Sequence, residues 1–299
     1  ILIGLCFVIL LPIFEKLSAA FRHPSDISNP QVVWIPAQFS TINFQIAAQM
    51  LMYTQSFFNT LLLSSVTTFI QVIATAIAGY AFARLKFPGH NVIFYIILFT
   101  IIVPNEALDR SRSWIMNEYT FLGISLIGNV LSMYILAAFG QGIRSAIFIY
   151  LFRQFFKGIP IELEESAQVD GAGVIRTFWS VMLPNARGAI VTVSLFAFVW
   201  QWNDCYFGQL LGYTSGNMSL LAVQLSSGTE QLRTIIATWI AAGNEFFESF
   251  RGSGVATDPL FVALIANTSA LMIMAPLLIG YFFVQRLFVE SIERTGLVG

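Results

Sequence analysis

Charge is what this chain lacks most: Asp, Glu, Lys and Arg together make up 10% of its 299 residues. Soluble globular domains carry about 25% charged residues, whereas 57% of this chain is hydrophobic. A surface of this composition is too apolar to face water, so we predict that lipid is the main solvent. The formal net charge of −1 also gives no electrostatic basis for binding nucleic acid.

Cysteine and histidine are scarce as well, with two residues of each. Two cysteines are too few for a disulfide framework or a cysteine-rich zinc site. Because Cys6 and Cys205 both stand in apolar runs, we expect them to be buried, inert packing residues. His23 and His90 stand singly and far apart in the sequence, so the sequence predicts no metal site.

The phosphate-binding pattern Gly-x-x-x-x-Gly-Lys-Ser/Thr is also missing from the sequence. That pattern supplies the backbone cradle and the lysine that hold nucleotide phosphates. We therefore expect no ATP site, no cofactor and no enzymatic activity in this chain.

Long apolar runs are abundant, and they predict an all-α, polytopic membrane protein with six transmembrane helices. A helix needs about 20 mainly apolar residues to cross the hydrocarbon core. The chain begins at Ile1 inside an apolar run, so we expect the first span to be N-terminally incomplete. Residues 105–118 carry several charges and are predicted to lie along the membrane interface. The predicted spans are residues 1–20, 60–82, 87–104, 131–152, 186–211 and 259–284.

These spans predict how the chain is organised. We expect a first transmembrane helix (1–21), an external loop (22–54), a core domain (55–288) and a cytoplasmic tail (289–299). Within the core domain we expect a polar segment (156–184) and a second external loop (212–258). Six spans place both termini on the side of the polar segment. That side holds eight basic residues against six, which favours the cytoplasm for it.

The polar segment begins with a predicted helix of about ten residues. Pro160 suits the first turn of a helix, where its missing N–H costs nothing. Acidic side chains that favour the positive N-terminal end of a helix follow it, at Glu162, Glu164 and Glu165. Gly171 stands where a left-handed cap is expected at the C-terminal end.

A second short helix is predicted from about Gly173, with Pro184 breaking it. The resulting helix pair is too polar to enter lipid. On physical grounds it is either an amphipathic loop folded on its own membrane helices or a docking site for a cytoplasmic partner.

This segment resembles the signature of the membrane subunits of binding-protein-dependent ABC importers. That signature is Glu-Ala-Ala, three residues, Gly, nine residues and Ile-x-Leu-Pro. The chain has Glu165-Ser166-Ala167, then Gly171, then Val181-Met182-Leu183-Pro184, with both spacings kept. It departs from the signature at Ser166, which adds a hydroxyl where the family has a methyl, and at Val181.

Other stretches resemble the carbohydrate-uptake branch of that family, in particular permeases similar to the second membrane subunit of the maltose importer. They are residues 78–84, 153–156, 202–204 and 285–289. The resemblance implies the type I ABC importer permease fold, with residues 160–171 as a cytoplasmic coupling helix that docks into an ATPase subunit. It implies that ATPase coupling involves Glu164, Glu165, Ser166, Ala167, Asp170, Gly171 and Pro184.

The same resemblance implies a function and a set of partners. The chain would form half of the translocation pore of an ATP-driven sugar or oligosaccharide importer in the bacterial cytoplasmic (inner) membrane. A second, homologous permease would complete the pore, and an external sugar-binding protein would deliver the sugar. Two cytoplasmic ATPase subunits would bind the ATP and Mg that this chain does not.

Polar residues inside spans are candidates for the substrate path, because they are costly in lipid. Near the outer end of the fifth span stand Trp202, Asn203, Asp204 and Tyr206. Trp202, Tyr206 and Gln209 are predicted to share one helical face, which would suit the apolar faces and hydroxyl edges of a sugar. An aromatic belt at the membrane interface explains the same cluster, and Asp204 alternatively fixes helix packing or an outer gate.

Arg144 stands near the middle of the fourth predicted span. It lies nine residues before Arg153, about 13 Å along a helix. Gly140-Gln141-Gly142 precedes it and weakens the helix, and broken helices at this depth often line transport paths. Pairing with a carboxylate or carbonyl of a neighbouring subunit explains Arg144 equally well.

Two rival functions make different demands on the sequence. A secondary transporter or channel working alone would tolerate charge reversal at Glu165 and the loss of any ATPase. An intramembrane enzyme needs a catalytic set at one depth, whereas Asp204 has no second carboxylate in the fifth predicted span.

Overall fold

The structure, a computed structural model, describes residues 2–26, 35–121, 123–213, 218–244, 247 and 258–296, and most of them are helical. The helices are α1 (Leu2–Phe21), α2 (Ile42–Met50), α3 (Tyr53–Arg84), α4 (His90–Phe99), α5 (Asp109–Glu118), α6 (Leu131–Ala138), α7 (Ser145–Gly158), α8 (Ile161–Val169), α9 (Val174–Thr177), α10 (Leu183–Asn185), α11 (Arg187–Trp202), α12 (Tyr206–Leu210), α13 (Leu221–Ser226), α14 (Gly228–Ala241) and α15 (Pro259–Gly296). Single 3₁₀ turns cover Pro24–Asp26 and Asn105–Leu108, and a π-helical turn, Phe178–Met182, joins α9 to α10. A two-stranded antiparallel hairpin pairs β1 (Thr120–Phe121) with β2 (Ile124–Ser125). The all-α prediction is confirmed.

Three of the described helices, α1, α3 and α15, are long and apolar enough to cross a membrane by themselves. A fourth candidate is the pair Val174–Asn185 and Arg187–Trp202, which is bent by 80°. The predicted third span is helical only over the ten residues of α4, and its end precedes Pro104, which disfavours helical backbone in the residue before it. The predicted fourth span is divided between α6 and α7. The count of six spans stays a prediction.

The two stretches predicted as external loops contain short helices. Residues 22–54 include α2, and residues 212–258 include α13 and α14, although residues 27–34, 214–217 and most of 245–257 lie outside the described part. Their position outside the membrane stays a prediction. The prediction that Cys6 and Cys205 are buried was wrong, because both are exposed. Cys6 lies on α1, whose large apolar side chains are exposed, and Cys205 lies in the break between α11 and α12. The predicted boundaries at residues 21, 54 and 288 concern membrane topology and stay predictions.

The chain forms two compact units. The first comprises Ile1–Thr60 and Tyr213–Tyr281, and the second comprises Leu61–Gly212 and Phe282–Gly299. In the first unit, Pro276 lies inside α15, and its missing N–H leaves the carbonyl of Met272, four residues earlier, without a helical donor. The Tyr53 hydroxyl donates a hydrogen bond to that carbonyl oxygen at 3.1 Å, so a neighbouring helix satisfies the group that proline frees.

The second unit has a core of buried aromatic and small side chains from α3, α7, the π-helical turn and α11. Gly79 of α3 allows the closest approach: a Cβ at this position would lie 2.5 Å from Cβ of Phe152 and 3.0 Å from the backbone nitrogen of Arg153. Real Cβ atoms do not come so close, so any larger residue would push α3 and α7 apart. The core therefore fixes both helices against the polar segment that follows α7.

Candidate functional site

The helix α8 in the polar segment begins and ends as the sequence predicts. Pro160 has non-helical backbone before the first helical residue, Ile161. At the other end Gly171 has a φ of 81°, a left-handed conformation that suits glycine. Its N–H donates to the carbonyl of Gln168, and the N–H of Ala172 donates to the carbonyl of Ala167. These two bonds form a Schellman cap, which stops α8 sharply and starts the next turn.

Glu164 anchors α8 to the end of α3. Its carboxylate accepts a hydrogen bond of 2.9 Å from the Tyr80 hydroxyl and forms an ion pair with Arg84 at 3.5 Å. Arg84 also donates to the carbonyl oxygen of Ile159, just before α8. Glu164 is 7% exposed, so its charge is compensated inside the protein. We call Tyr80, Arg84, Ile159 and Glu164 the α3–α8 clamp.

The α3–α8 clamp rests on the aromatic core of the second unit. The Tyr80 ring lies 5.7 Å from the ring of Phe156 and 5.2 Å from that of Phe178. Sequence reasoning did not assign Tyr80 and Arg84 to Glu164. The available signal was their spacing of four residues at the end of an apolar helix, which places both on one face.

The opposite side of α8 is open. Glu165, Ser166, Asp170, Gly171 and Pro184 are exposed, and Ala167 is half-buried. Apolar side chains are exposed beside them, at Ile161, Leu163, Val169, Val174, Ile175 and Trp179. Large exposed apolar side chains among polar ones mark protein interaction surfaces. We call the exposed residues from Ile161 to Pro184 the docking surface.

The chain turns sharply where the docking surface ends. Pro184 does not break the second short helix at its own position, because α10 runs through it to Asn185. The direction changes at Ala186, between α10 and α11, with the 80° bend. Proline is tolerated in the first turn of a helix, where no intrahelical N–H is needed. The signature residues thus form the corner between the polar segment and a membrane helix.

Arg144 lies at a real break in the predicted fourth span. The helix stops after Ala138, Gly140 has a φ of 69°, and Arg144 itself has a φ of 58° before α7 starts. A positive φ is uncommon for a non-glycine residue. The side-chain amide of Gln71 holds this backbone, donating to the carbonyl of Ile143 at 2.7 Å and to the Ser145 hydroxyl at 2.8 Å.

The Arg144 side chain lies against an aromatic stack. Its guanidinium carbon is 5.6 Å from the centroid of the Trp200 ring. The same ring is nearly parallel to those of Phe148 at 5.4 Å and Phe196 at 5.6 Å. Arg144 is exposed, Trp200 is partly buried and Phe148 is fully buried. We call Arg144, Phe148, Phe196 and Trp200 the Arg144 stack.

The cluster at the end of the fifth span does not share one helical face, so that prediction was wrong. The helix ends at Trp202 and restarts as α12 at Tyr206. Trp202 is 2% exposed, whereas Asn203 is exposed and Tyr206 is partly exposed. Asp204 accepts hydrogen bonds from the backbone N–H groups of Phe207, at 3.3 Å, and Gly208, at 3.1 Å. Its carboxylate therefore caps α12, which agrees with the packing alternative.

Replacing Asp204 by alanine removes this cap. We expect the change to destabilise the folded protein by about 1 kcal/mol and to lower transport severalfold without preventing assembly with partner subunits. The check is the thermal midpoint of the purified protein in detergent beside transport in vesicles. Asp204→Asn, which keeps an acceptor oxygen, should lose less stability. Equal stability of Asp204→Ala and the wild type would contradict the cap.

Comparison with known proteins gives consistent results. Residues 71–294 match the family described as binding-protein-dependent transport system inner membrane component. The maltodextrin transport system permease protein MalD of Streptococcus pneumoniae (strain ATCC BAA-255 / R6) is 25% identical over 298 residues, which are 99% of this chain and 92% of that protein. The alpha-glucoside transport system permease protein AglG of Rhizobium meliloti (strain 1021) is 32% identical over 172 residues, 56% of this chain and 44% of that protein.

The fold also matches a solved structure, the crystal structure of a bacterial ABC transporter involved in the import of the acidic polysaccharide alginate. The TM-score is 0.66, with 96% of this chain and 94% of the other covered at 21% sequence identity. This likeness establishes the permease fold. Since the family match covers most of the sequence, the chain belongs to the family of binding-protein-dependent transport system inner membrane components, the permease components of ABC transporters.

Proposed function

We propose that this chain is a permease subunit of an ATP-driven importer of sugars or oligosaccharides. Its docking surface lies in the cytoplasm, as do both termini, and its membrane helices form half of the translocation pore. The relatives support carbohydrate as the substrate class: the names of two of them refer to maltodextrin and alpha-glucoside.

The observation that carries the proposal is the contrast between the two sides of α8. Glu164 faces inward and is paired with Tyr80 and Arg84, while Glu165 and Val169 face outward. A helix that is fixed on one side and exposes acidic and apolar groups on the other suits docking into a partner. The self-contained loop considered from sequence would bury its apolar side chains, whereas Val169 is 88% exposed.

The partner that docks there is an ATPase subunit. Two ATPase subunits bind ATP and Mg, one on this chain and one on a second permease that completes the pore. Closure of the ATPases moves α8, and the α3–α8 clamp passes the motion to α3 because a buried ion pair and a hydrogen bond join the two helices. The pore then changes between inward-facing and outward-facing states, which is a domain-scale gating motion without covalent chemistry in this chain.

Within this scheme the residues have separate tasks. The contact with the ATPase involves Glu165, Ser166, Ala167, Asp170, Gly171 and Pro184, and Glu164 acts through the clamp. The substrate path includes Arg144 and the outer cluster of Trp202, Asn203, Asp204 and Tyr206. Within this cluster Trp202 is buried and has a packing role. An external sugar-binding protein delivers the substrate to the outer side.

Purification of the complex from its native membrane tests the proposal. We expect an ATPase, a second permease and a solute-binding protein to copurify, and we expect a carbohydrate to stimulate ATP hydrolysis in liposomes. Full transport activity of this chain alone, without any ATPase, would instead favour a secondary transporter or channel.

A further inference from the structure

We infer that the Arg144 stack is a binding subsite for the anionic group, carboxylate or phosphate, of an acidic carbohydrate. The inference rests on the proposed function and adds the charge class of the substrate. It starts from the position of the guanidinium. Arg144 precedes α7, a helix of 14 residues and thus about 21 Å long, whose other end leads into the docking surface. The group therefore lies deep within the membrane region.

A cation at such a depth is costly unless a counter-charge or water reaches it. No described carboxylate forms an ion pair with Arg144. Water, or a counter-charge from outside the described part of the chain, therefore compensates the guanidinium. An exposed guanidinium offers parallel N–H donors, whose geometry suits the two oxygens of a carboxylate or phosphate.

The surroundings hold the guanidinium in place. Trp200 supports it through a cation–π contact. Gln71 holds the residues on either side of Arg144 through hydrogen bonds to the carbonyl oxygen of Ile143 and to the hydroxyl of Ser145. Gly142 packs against Gln71, where a Cβ would lie 3.2 Å from the amide nitrogen. A preorganised charged group binds its ligand without a large loss of side-chain freedom.

The neighbouring rings favour a sugar over a partner's carboxylate. Phe196 is 37% exposed and extends the apolar platform beside the guanidinium. A uronic acid or a sugar phosphate combines an apolar ring face with an anionic group. One such sugar unit can therefore contact both the guanidinium and the aromatic rings of the Arg144 stack. A carboxylate on a neighbouring helix would use the guanidinium alone.

Uptake by the intact complex, reconstituted with its binding protein, tests this subsite. The probes are trigalacturonate, glucose 6-phosphate and the neutral trisaccharide maltotriose, so that carboxylate and phosphate are separated. We expect the wild type to take up at least one acidic probe. Arg144→Gln should lower the ratio of acidic to neutral uptake at least about tenfold, because a charged hydrogen bond is lost, and Arg144→Lys should restore part of it.

Arg112→Gln is the matched control, because Arg112 also lies over an aromatic ring, that of Phe207, at 5.1 Å. We expect this control to keep the wild-type ratio. If the wild-type complex takes up maltotriose but neither acidic probe, the subsite is overturned and the proposed function stays intact. Loss of the second permease from the purified Arg144→Gln complex would also overturn the subsite, in favour of an ion pair between subunits. If no carbohydrate is taken up and none stimulates ATP hydrolysis, the proposed function itself is contradicted.

Discussion

Replacing Glu165 by lysine is expected to abolish carbohydrate-stimulated ATP hydrolysis in the reconstituted complex while the chain still inserts and folds. Glu165 is exposed on α8 and lies beside the buried Glu164, so its side chain has no role in the core. The family resemblance implies that Glu165 meets basic groups of the ATPase. A reversed charge therefore places like charges together, which costs several kcal/mol at an interface. We expect stimulation to fall at least about tenfold, measured as ATP hydrolysis with and without substrate and binding protein.

Glu162→Lys provides the matched control for this charge reversal. Glu162 is on the same helix, is also exposed and changes the net charge equally. It is not among the residues proposed to contact the ATPase, and it lies nearer the start of α8. We expect a smaller loss than for Glu165→Lys. Unchanged stimulation in Glu165→Lys, with normal complex formation, would refute docking through this residue.

Glu164→Leu is expected to uncouple ATP hydrolysis from transport. The change leaves the Tyr80 hydroxyl and Arg84 without their buried partner. Removing one member of a buried ion pair lowers the free energy of unfolding by about 3–5 kcal/mol. The docking surface remains available, so the ATPase still binds. Because α8 is no longer fixed to α3, we expect the ratio of substrate transported to ATP hydrolysed to fall at least about tenfold.

Tyr80→Phe separates the hydrogen bond from the ion pair. This variant removes only the hydroxyl that donates to Glu164 and is expected to cost about 1–2 kcal/mol. In the double variant Tyr80→Phe/Glu164→Leu, the losses in free energy of unfolding should not add, because both changes remove one shared contact. Additive losses would mean that the two residues act independently and would exclude the α3–α8 clamp.

Local patterns predicted much of the docking segment. Pro160 and Gly171 are where the sequence placed the ends of α8, because the backbone preferences of proline and glycine act within one or two residues. The side on which each glutamate lies was not predictable. Glu164 and Glu165 are chemically identical, and only packing against Tyr80 of α3 makes one of them buried.

The membrane helices show the opposite balance. Apolar runs identified α1, α3 and α15, since hydropathy over about 20 residues depends on composition alone. The helix breaks at Arg144 and after Trp202 were harder to predict. Gly140 and Gly142 indicated the first break. The second break, at Asn203–Cys205, depends on capping by a carboxylate, which hydropathy does not reveal.

A polar row on α3 was also missed by the search for spans. Ser64, Thr67, Gln71 and Thr75 are fully or almost fully buried, at spacings of three and four that place them along one face. Small hydroxyl and amide side chains allow helices in lipid to approach and hydrogen-bond each other. Counting charges alone made α3 look uniformly apolar, although Gln71 of this row holds the break beside Arg144.

Binding of an ATPase subunit to the docking surface is tested most directly by a photo-crosslinker at Val169. Val169 is 88% exposed at the end of α8, and Ile102, 76% exposed beyond the end of α4, serves as the control position. In the complex purified from the membrane, we predict that position 169 crosslinks to the copurified ATPase and position 102 does not. Crosslinking at position 169 to lipid or to this chain alone, with the ATPase present in the complex, would contradict the account.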